Sequence, residues 1–242
     1  DVARRIAHEI KNPLTPIQLS AERIKRKFSP KLEEDSEALA QMTDVIVRQT
    51  GDLRRIVDEF SKFARMPEPE RKPVDLTELV KDAVLLQRTG QPDVKIEADL
   101  PEEKVQSELD ATMIGQALTN LIKNAGEAIE SYKEEGAHEG HEPTIRVAMT
   151  TTSDRARISI ADNGIGLPED RARLFEPYET TRSEGNGLGL PIVKKIIEEH
   201  GGTLALEDAP PFTDNPHFGA MAVISLPCHQ DAPPSDPASN EG

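Results

Sequence analysis

The stretch Ile6-Ala7-His8-Glu9-Ile10-Lys11-Asn12-Pro13-Leu14 carries the pattern that decides the first part of the fold. From there apolar residues recur in steps of three and four, at Ile6, Ile10, Leu14, Ile17, Ala21, Ile24 and Phe28. This spacing predicts an amphipathic helix over residues 1–28, about 40 Å long. Pro13 and Pro16 fall inside it, and each removes a backbone N–H, so we expect a bend one turn after His8.

A second long helix is predicted after a break at residues 29–35. Between residues 36 and 64 the apolar positions again alternate in steps of three and four, as in a coiled-coil seam. These positions are Leu39, Met42, Ile46, Gln49, Leu53, Ile56, Phe60 and Phe63, and all except Gln49 are apolar. Two long helices joined by a short loop form a hairpin with too little core of its own. We therefore predict that residues 1–66 form a homodimer, a four-helix bundle in which the polar Gln49 layer sets the register.

The chain beyond the hairpin mixes helices and strands. The Pro-rich, charged segment 67–74 predicts a linker. Helices are predicted at residues 76–89, 111–133 and 188–199, and strands at residues 94–100, 105–109, 144–151, 155–161, 203–207 and 220–226. This order predicts an α/β sandwich over residues 75–227, one mixed sheet covered on one face by helices. Residues 228–242, rich in Pro, Asp and Ser, are expected to form a disordered tail.

The charge of the chain narrows its possible partners. The formal net charge is -15, which argues against nucleic acid or an anionic membrane surface as the main partner. Residues 1–28 nevertheless carry seven basic and three acidic side chains, a net charge of +4. The first helix is therefore a basic segment of an acidic protein. Its charge indicates either a docking surface for an acidic partner or simply a solvated helix face.

Cysteine usage and hydropathy indicate the compartment. Cys228 is the single cysteine, so no intrachain disulfide forms, which is consistent with a reducing compartment. No apolar run approaches the roughly 18 residues of a membrane span, and no signal peptide is present. The chain opens on Asp1 inside a predicted helix, without Met. We therefore expect a fragment whose upstream part, including any membrane segment, is missing.

Asn120-Leu-Ile-Lys-Asn124-Ala125 is the first of three downstream motifs that carry chemistry. Its two asparagines are four residues apart and share one face of the predicted helix. Amide oxygens suit a hard Mg²⁺ ion that also takes phosphate and water ligands. An isolated pair of asparagines is also common as polar decoration of a helix, so this motif needs the other two.

Two glycine-containing motifs follow. In Asp162-Asn-Gly164-Ile-Gly166 a buried carboxylate after a strand can accept from an exocyclic amine such as that of adenine, although such sequences also form simple strand-end turns. Gly185-Asn-Gly187-Leu188-Gly189-Leu190 opens a helix, where backbone N–H groups can meet phosphate. This last motif fits neither the dinucleotide-binding pattern nor the P-loop pattern.

Together and in this order, the motifs resemble the catalytic core of two-component sensor histidine kinases over about residues 1–227. That core is a dimerisation and phosphoacceptor hairpin followed by a Bergerat-type ATP-binding domain. The acceptor motif is Ala7–Pro13, and the nucleotide motifs are Asn120–Ala125, Asp162–Gly166, Leu174-Phe175-Glu-Pro and Gly185–Leu190. The acceptor helix from Thr15 to Phe28 further resembles the NtrY branch, the nitrogen-regulation sensor kinases.

The resemblance implies a role for each matching residue. His8 would attack the γ-phosphate of ATP, and Glu9 would orient its imidazole and take the proton. Asn12, together with Glu9, matches a pattern linked to dephosphorylation of the partner regulator. Asn124 would hold Mg²⁺. The remaining nucleotide contacts would come from Asn120, Asp162, which would read adenine, Gly164, Gly166, Phe175, Gly185, Gly187, Leu188 and Gly189.

The resemblance also implies partners and location. The phosphoryl group would pass to an aspartate on a response regulator receiver domain, expected to be NtrX-like, and the chain would be the cytoplasmic portion of a membrane-bound sensor. One position departs from the pattern: relatives often have Lys or Arg three residues after the Mg²⁺ asparagine, where this chain has Glu127, so Lys123 and Arg182 are the candidate cations for phosphate.

Three hypotheses follow. The first is a histidine autokinase and phosphotransferase. The second is a Bergerat-fold ATPase that uses hydrolysis for conformational change, with the hairpin serving only to dimerise. The third is a non-catalytic scaffold with a degenerate ATP site. Acid-labile, base-stable phosphate on the protein after exposure to ATP is predicted by the first hypothesis alone.

Overall fold

The computed structural model describes residues 2–32, 35–64, 68–136, 140–176, 188–212 and 219–229. The side chains of residues 2–9, 55 and 58–64 lie outside that description, as do Arg182, Gly185, Gly187 and the tail from residue 230. The chain divides into two compact units, residues 1–67 and residues 68–242.

The first unit is the predicted helical hairpin. Helix α1 spans Val2–Phe28 and continues through Pro13 and Pro16, a 3-10 turn follows at Ser29–Lys31, and helix α2 spans Ser36–Ala64. An exposed ion pair joins the two helices, with Lys25 Nζ 2.6 Å from Asp44 Oδ1. The two-helix prediction and the bounds of α2 are confirmed.

The interior of the hairpin is narrow and partly polar. Among its described side chains, those buried are Leu14, Ala21, Thr43, Thr50 and Val57. Both threonine hydroxyls donate to carbonyl oxygens one turn earlier on their own helix, at 2.8–2.9 Å. The buried positions recur every seven residues on each helix, so a single thin seam joins α1 to α2.

Larger apolar side chains of the hairpin remain exposed beside that seam. They are Ile10, Ile17, Ile24 and Phe28 on α1 and Met42, Ile46 and Leu53 on α2. Three of the positions predicted to form the seam of α2 are therefore not covered by α1, and Gln49 between them is exposed as well. The side chains of Phe60 and Phe63, also predicted for that seam, lie outside the described residues.

The second unit is built on a five-stranded mixed sheet. Its strands run in the order β2, β4, β5, β7, β6, with bounds β2 Lys95–Asp99, β4 Thr144–Thr151, β5 Arg155–Asp162, β6 Thr203–Asp208 and β7 Ala220–Pro227. Strands β2 and β4 are parallel, and the other neighbours are antiparallel. A separate two-stranded ribbon pairs β1 (Lys72–Asp75) with β3 (Gln106–Leu109).

Three helices cover one face of the sheet: α3 at Leu76–Gly90, α4 at Ala111–Glu134 and α5 at Gly189–Glu199. Asp75 and Asp110 cap the first two by accepting from backbone N–H groups of the first turn, as aspartate at such positions commonly does. The fully buried core joins helices to sheet and includes Ile114, Leu118, Ile122, Ile145, Ile158, Ile160 and Ile197. The predicted sandwich is confirmed.

Two details differ from the prediction. Strand β1 begins within the predicted linker, residues 67–74, and ends one residue beyond it, at Asp75. Its four residues include Pro73, and so short a run carries no alternating pattern. At the other end, the sequence predicts a disordered tail from residue 228, but Cys228 is buried and donates its N–H to Asp154 O at 3.0 Å. His229 donates to Gln106 O at 2.8 Å, because strand β3 offers it a backbone partner that is remote in sequence.

Within the described ranges, no helix combines the length and the apolar character that crossing a bilayer requires.

Candidate nucleotide site and phosphoacceptor helix

One face of helix α4 organises the candidate nucleotide site. Asn120 and Asn124 are half-buried on this face, and Ala128 continues it one turn further along the helix. The opposite side of α4 is fixed by fully buried side chains, including Ile114 and Ile122. The amides are therefore held by a rigid element rather than by a loop.

The turn after β5 packs against this face. A Cβ atom added at Gly164 would lie 2.4 Å from the carbonyl carbon of Ala128 and 2.6 Å from the nitrogen of Ile129, so any larger residue would push the turn off the helix. The N–H of Ile165 donates to Ala128 O at 3.1 Å. Gly166 has φ of +84°, a conformation that glycine adopts without strain.

Asp162, the last residue of β5, is 4% exposed and begins this turn. Its Oδ1 accepts from the Gly164 N–H at 2.9 Å and from the Ala220 N–H at 3.4 Å. These bonds fix one carboxylate oxygen by backbone groups from two segments. A carboxylate held in this way can accept from an exocyclic amine without reorganising.

Two residues that the sequence interpretation did not single out shape the setting of Asp162. Asn163 is 8% exposed; its Oδ1 accepts from the Thr144 N–H at 2.9 Å, and its Nδ2 donates to Glu142 O at 2.7 Å. A Cβ atom added at Gly219 would lie 1.8 Å from Asp162 O. Asn163 belongs to the Asp162–Gly166 motif, so the sequence could have indicated it, whereas no sequence pattern indicates the close approach of Gly219.

The first turn of α5 approaches Asn124 from another side. A Cβ atom added at Gly189 would lie 3.8 Å from Asn124 Nδ2 and 3.9 Å from Asn124 Oδ1. The N-cap residue is Leu188, which is fully buried and provides no capping side chain. The N–H groups at the start of a helix have no intrahelical acceptor, and an anion can satisfy them.

Three motifs widely separated in sequence thus meet on the α4 face: Asn124 lies on it, Gly164 packs one turn further on, and Gly189 lies beside the Asn124 amide. Gly185 and Gly187 lie outside the described residues, so the arrangement rests on Leu188 and Gly189 for the last motif. A hard amide oxygen beside an uncapped helix start fits a Mg²⁺ ion that shares phosphate ligands.

Phe175 closes the 3-10 turn Ala172–Phe175 and is half-buried. Lys194 of α5 places its Nζ 5.1 Å from the centre of the Phe175 ring, within the range of a cation–π contact. The turn is also tied to β6, because Arg171 Nη2 donates to both carboxylate oxygens of Asp208 at 2.7 Å. Phe175 therefore lies beside α5, the helix that begins at Gly189.

Glu127 lies on the same side of α4 as the two asparagines and is half-buried. Its carboxylate is 3.5 Å from Lys123 Nζ. Lys123, one of the two candidate cations, is thus already close to an acidic side chain of its own helix. Arg182, the other candidate, lies outside the described residues.

The acceptor motif lies in α1. His8 and Glu9 are helical positions whose side chains lie outside the description, and Asn12 is exposed. Positions 8, 12, 15 and 19 follow helical spacing and share one face. Leu19 on that face is 48% exposed, on the side away from the buried Leu14 and Ala21.

Family comparisons agree with both units. Residues 1–69 match the His Kinase A phospho-acceptor domain, and residues 109–230 match the histidine kinase-, DNA gyrase B- and HSP90-like ATPase family. The chain therefore belongs to the histidine kinases, with a phosphoacceptor domain followed by an ATPase domain.

Within that family the chain is similar to nitrogen regulation proteins. It is 49% identical over 238 residues to nitrogen regulation protein NtrY of Azorhizobium caulinodans, which covers 98% of this chain and 29% of that protein. A Rickettsia conorii protein named as NtrY-like is 40% identical over 205 residues, 84% of this chain and 33% of that one. The chain thus spans about a third or less of these two relatives.

Among solved structures, the chain is similar to histidine kinase ThkA, crystallised in complex with the response regulator protein TrrA. The identity is 27%, the TM-score is 0.60, and the match covers 92% of this chain and 60% of that one.

Proposed function

We propose that this chain is an ATP-dependent histidine autokinase that phosphorylates His8. The observation that carries the proposal is the meeting of Asn124, Gly164 and Gly189 around one face of α4, in a chain whose first helix bears the His8 motif. An imidazole nitrogen of His8 attacks the γ-phosphorus of ATP, the P–N bond forms, and the bond to the ADP oxygen breaks. Glu9 orients the ring and accepts its proton.

The residues of the second unit bind and orient the nucleotide. Asp162 accepts from the amine of adenine, Gly164 and Gly166 shape that pocket, and Phe175, held by Lys194, borders it. Asn120 supports the phosphates, and the start of α5 at Leu188 and Gly189 receives them. Gly185 and Gly187 belong to the same proposed contact. Mg²⁺ held by Asn124 supplies charge neutralisation at the phosphates, on which phosphoryl transfer depends.

We propose that the hairpin is a homodimer. The exposed apolar side chains beside the α1–α2 seam recur every seven residues on α1, at Ile10, Ile17 and Ile24. A second hairpin would cover them and complete a four-helix bundle. The thin, partly polar seam within one chain gives a physical reason for that second copy.

The second substrate is an aspartate of a response regulator receiver domain, which takes the phosphoryl group from His8. The ThkA structure supports this class of partner. The face of α1 that carries position 8 offers Asn12 and Leu19 with Arg23 and Arg26 close by, a basic surface suited to an acidic partner. Similarity to NtrY favours an NtrX-like regulator and a role in nitrogen regulation.

One further activity and a cellular location complete the proposal. Asn12, with Glu9, positions water against the phosphorylated regulator, which gives the chain phosphatase activity. The whole protein from which the chain derives is a membrane-bound sensor whose cytoplasmic portion contains these two units.

The test is incubation of wild type and His8→Gln with Mg²⁺ and γ-labelled ATP. Acid-labile label in wild type, absent from His8→Gln at equal nucleotide affinity, is the expected result. Label in both proteins would show that His8 is not the acceptor. Nucleotide hydrolysis without label in wild type would favour the alternative, a Bergerat-fold ATPase in which the hairpin only dimerises.

A further inference from the structure

The first residues of the second unit are hydrogen-bonded to the ends of two helices. The Glu70 N–H donates to Asp110 Oδ2 at 3.1 Å, at the start of α4. Arg71 Nη2 donates to the carbonyl oxygen of Glu199, at the end of α5. We call Glu70, Arg71, Asp110, Glu199 and His200 the linker clasp.

Asp110 is the centre of the clasp. Its Oδ1 accepts from the Thr112 and Met113 N–H groups at 3.0 and 3.1 Å, which caps α4, while its Oδ2 accepts from Glu70. Burial raises the pKa of the Asp110 carboxyl, but the Met113, Glu70 and Thr112 hydrogen bonds outweigh it, so the pKa lies below its ordinary value. One ionised carboxylate thus accepts hydrogen bonds both from the first turn of α4 and from Glu70, near the start of the second unit.

His200 joins the two helices directly. It is 2% exposed, its Nδ1 lies 2.7 Å from Ile196 O, and its Nε2 accepts from the Asp110 N–H at 3.1 Å. Both ring nitrogens are used when Nδ1 carries the proton and donates to Ile196 O. The C-terminal end of α5 is therefore fixed to the N-terminal end of α4 inside the protein.

The same two helices carry the phosphate side of the nucleotide site. Asn120 and Asn124 lie on α4, and Gly189 opens α5, about 16 Å from its far end at the rise of a helix. A packed helix moves as a rigid body, so a shift of one end displaces the other. The clasp joins the far ends of these two helices to Glu70 and Arg71. A movement of the segment that enters the unit there can therefore alter the spacing between Asn124 and Gly189.

We propose that the linker clasp couples the nucleotide site to the chain that arrives from the hairpin. Nucleotide binding stabilises the hydrogen bonds of Glu70 and Arg71, and these hydrogen bonds in turn stabilise the bound nucleotide. Arg71 and Asp110 act as positioning residues for Asn124 and Gly189. Such coupling is reciprocal by thermodynamic necessity. The proposal rests on the nucleotide binding proposed above, and it adds a route by which the hairpin side regulates that binding.

The test measures hydrogen exchange at the Glu70 amide by NMR in the full chain, with and without a saturating Mg²⁺ complex of a non-hydrolysable ATP analogue. We expect the analogue to slow exchange at Glu70 about fivefold or more, the lower end of typical couplings. Arg71→Ala should lose most of that response and bind the analogue about fivefold more weakly, and Arg71→Lys should recover part of both. Lys81→Ala, which removes an exposed ion pair with Glu78 on α3, is the matched control and should behave as wild type.

The outcomes separate the two proposals. Binding of the analogue to wild type with unchanged exchange at Glu70 would overturn the coupling and leave the nucleotide site standing. An Arg71→Ala protein that keeps both the affinity and the exchange response would also overturn it. Absence of analogue binding to wild type would overturn the proposed function, and the coupling with it. Thermal unfolding of each variant shows whether the fold persists.

Discussion

The hairpin and the nucleotide-binding unit bury their apolar residues in different ways. The nucleotide-binding unit encloses large aliphatic side chains completely, between one face of its sheet and three helices. Among its described side chains, the hairpin encloses two threonines and an alanine along with Leu14 and Val57, and leaves four isoleucines exposed to solvent: Ile10, Ile17, Ile24 and Ile46. Burial of apolar surface drives folding. The nucleotide-binding unit has a complete apolar core of its own, whereas the exposed isoleucines of the hairpin are the surface that the proposed second copy would cover.

The two units also differ in their polar groups: the exposed Lys25–Asp44 ion pair joins α1 to α2, but the buried polar groups of the hairpin do not. Thr43 and Thr50 satisfy their hydroxyls on their own helix and add no bond between α1 and α2. In the nucleotide-binding unit, Asp110 and His200 connect separate elements. Polar groups that link elements fix their relative position, which suits a site whose geometry depends on α4 and α5.

The largest expected effect is on the hairpin. Ile17→Glu places a carboxylate on the exposed apolar face of α1. A symmetric dimer would contain this carboxylate once in each protomer, and burying an unpaired carboxylate is costly. We expect dimer affinity to fall about 100-fold or more, measured by sedimentation equilibrium, with nucleotide affinity of the second unit unchanged.

Leu19→Glu is the matched control for Ile17→Glu. Leu19 is 48% exposed and Ile17 46%, but Leu19 lies on the opposite side of α1, on the face that carries position 8. The Leu19→Glu protein should remain dimeric and transfer phosphate to its regulator more slowly. Equal loss of the dimer in both variants would show that the comparison between the two faces is wrong.

The next effect belongs to the nucleotide-binding unit. Gly164→Ala forces the turn away from Ala128, so we expect a loss of about 2 kcal/mol of stability, as for other overpacked sites, together with weaker nucleotide binding and an intact dimer. Gly115 lies on α4, the helix that also carries Ala128, and a Cβ atom added there meets no atom within 4 Å. Gly115→Ala is therefore the control. It should stabilise the unit by about 0.5–1 kcal/mol. Chemical denaturation of both variants checks the pair, and wild-type nucleotide affinity in Gly164→Ala would contradict the proposed packing.

A smaller, pH-dependent effect is expected at Asp110. Its pKa is lowered in the folded protein, so the carboxylate contributes its full stability above the unfolded value of about 3.9 and loses it as pH falls through the lower folded value. Asp110→Asn keeps a capping side chain but not the charge, and should cost about 1 kcal/mol at neutral pH. Denaturation at pH 7 and near pH 3 should show the two proteins converging in acid; a difference independent of pH would exclude this role.

The smallest effect is expected at Thr50. Thr50→Val removes a hydroxyl whose partners are carbonyls of its own helix and adds a methyl group to the seam, so the hairpin should gain about 0.5 kcal/mol. The thermal midpoint of the hairpin transition measures this gain. Destabilisation would mean that the hydroxyl is more important to the seam than its hydrogen bonds indicate.

Long periodic elements were predictable from the sequence. The bounds of α2 and of β4 agree with the prediction, because an uninterrupted pattern of period 3.6 or 2 identifies an element by itself. Strand β1 was missed, because its pairing with β3 is a contact remote in sequence. The partner of Cys228 was missed for the same reason.

In the candidate site, too, local features were predictable from the sequence and contacts between remote segments were not. The face shared by Asn120 and Asn124 follows from a spacing of four within one helix. Other contacts join segments far apart in the chain: the approach of Gly219 to Asp162, the hydrogen bonds of Asn163 with Glu142 and Thr144, and the linker clasp. No local pattern reports such contacts.

The sequence by itself determined the two helices of the hairpin, the elements of the sandwich and the motifs on which the family membership rests, because each is written in residues near one another along the chain. The tertiary structure decided that Gly164 and Gly189 meet the α4 face, that Met42, Ile46 and Leu53 of the α2 seam are left uncovered by α1, and that Arg71 reaches the end of α5. These are properties of packing: they depend on which surfaces are brought together when apolar side chains leave water, and the spacing of residues along the chain does not specify them.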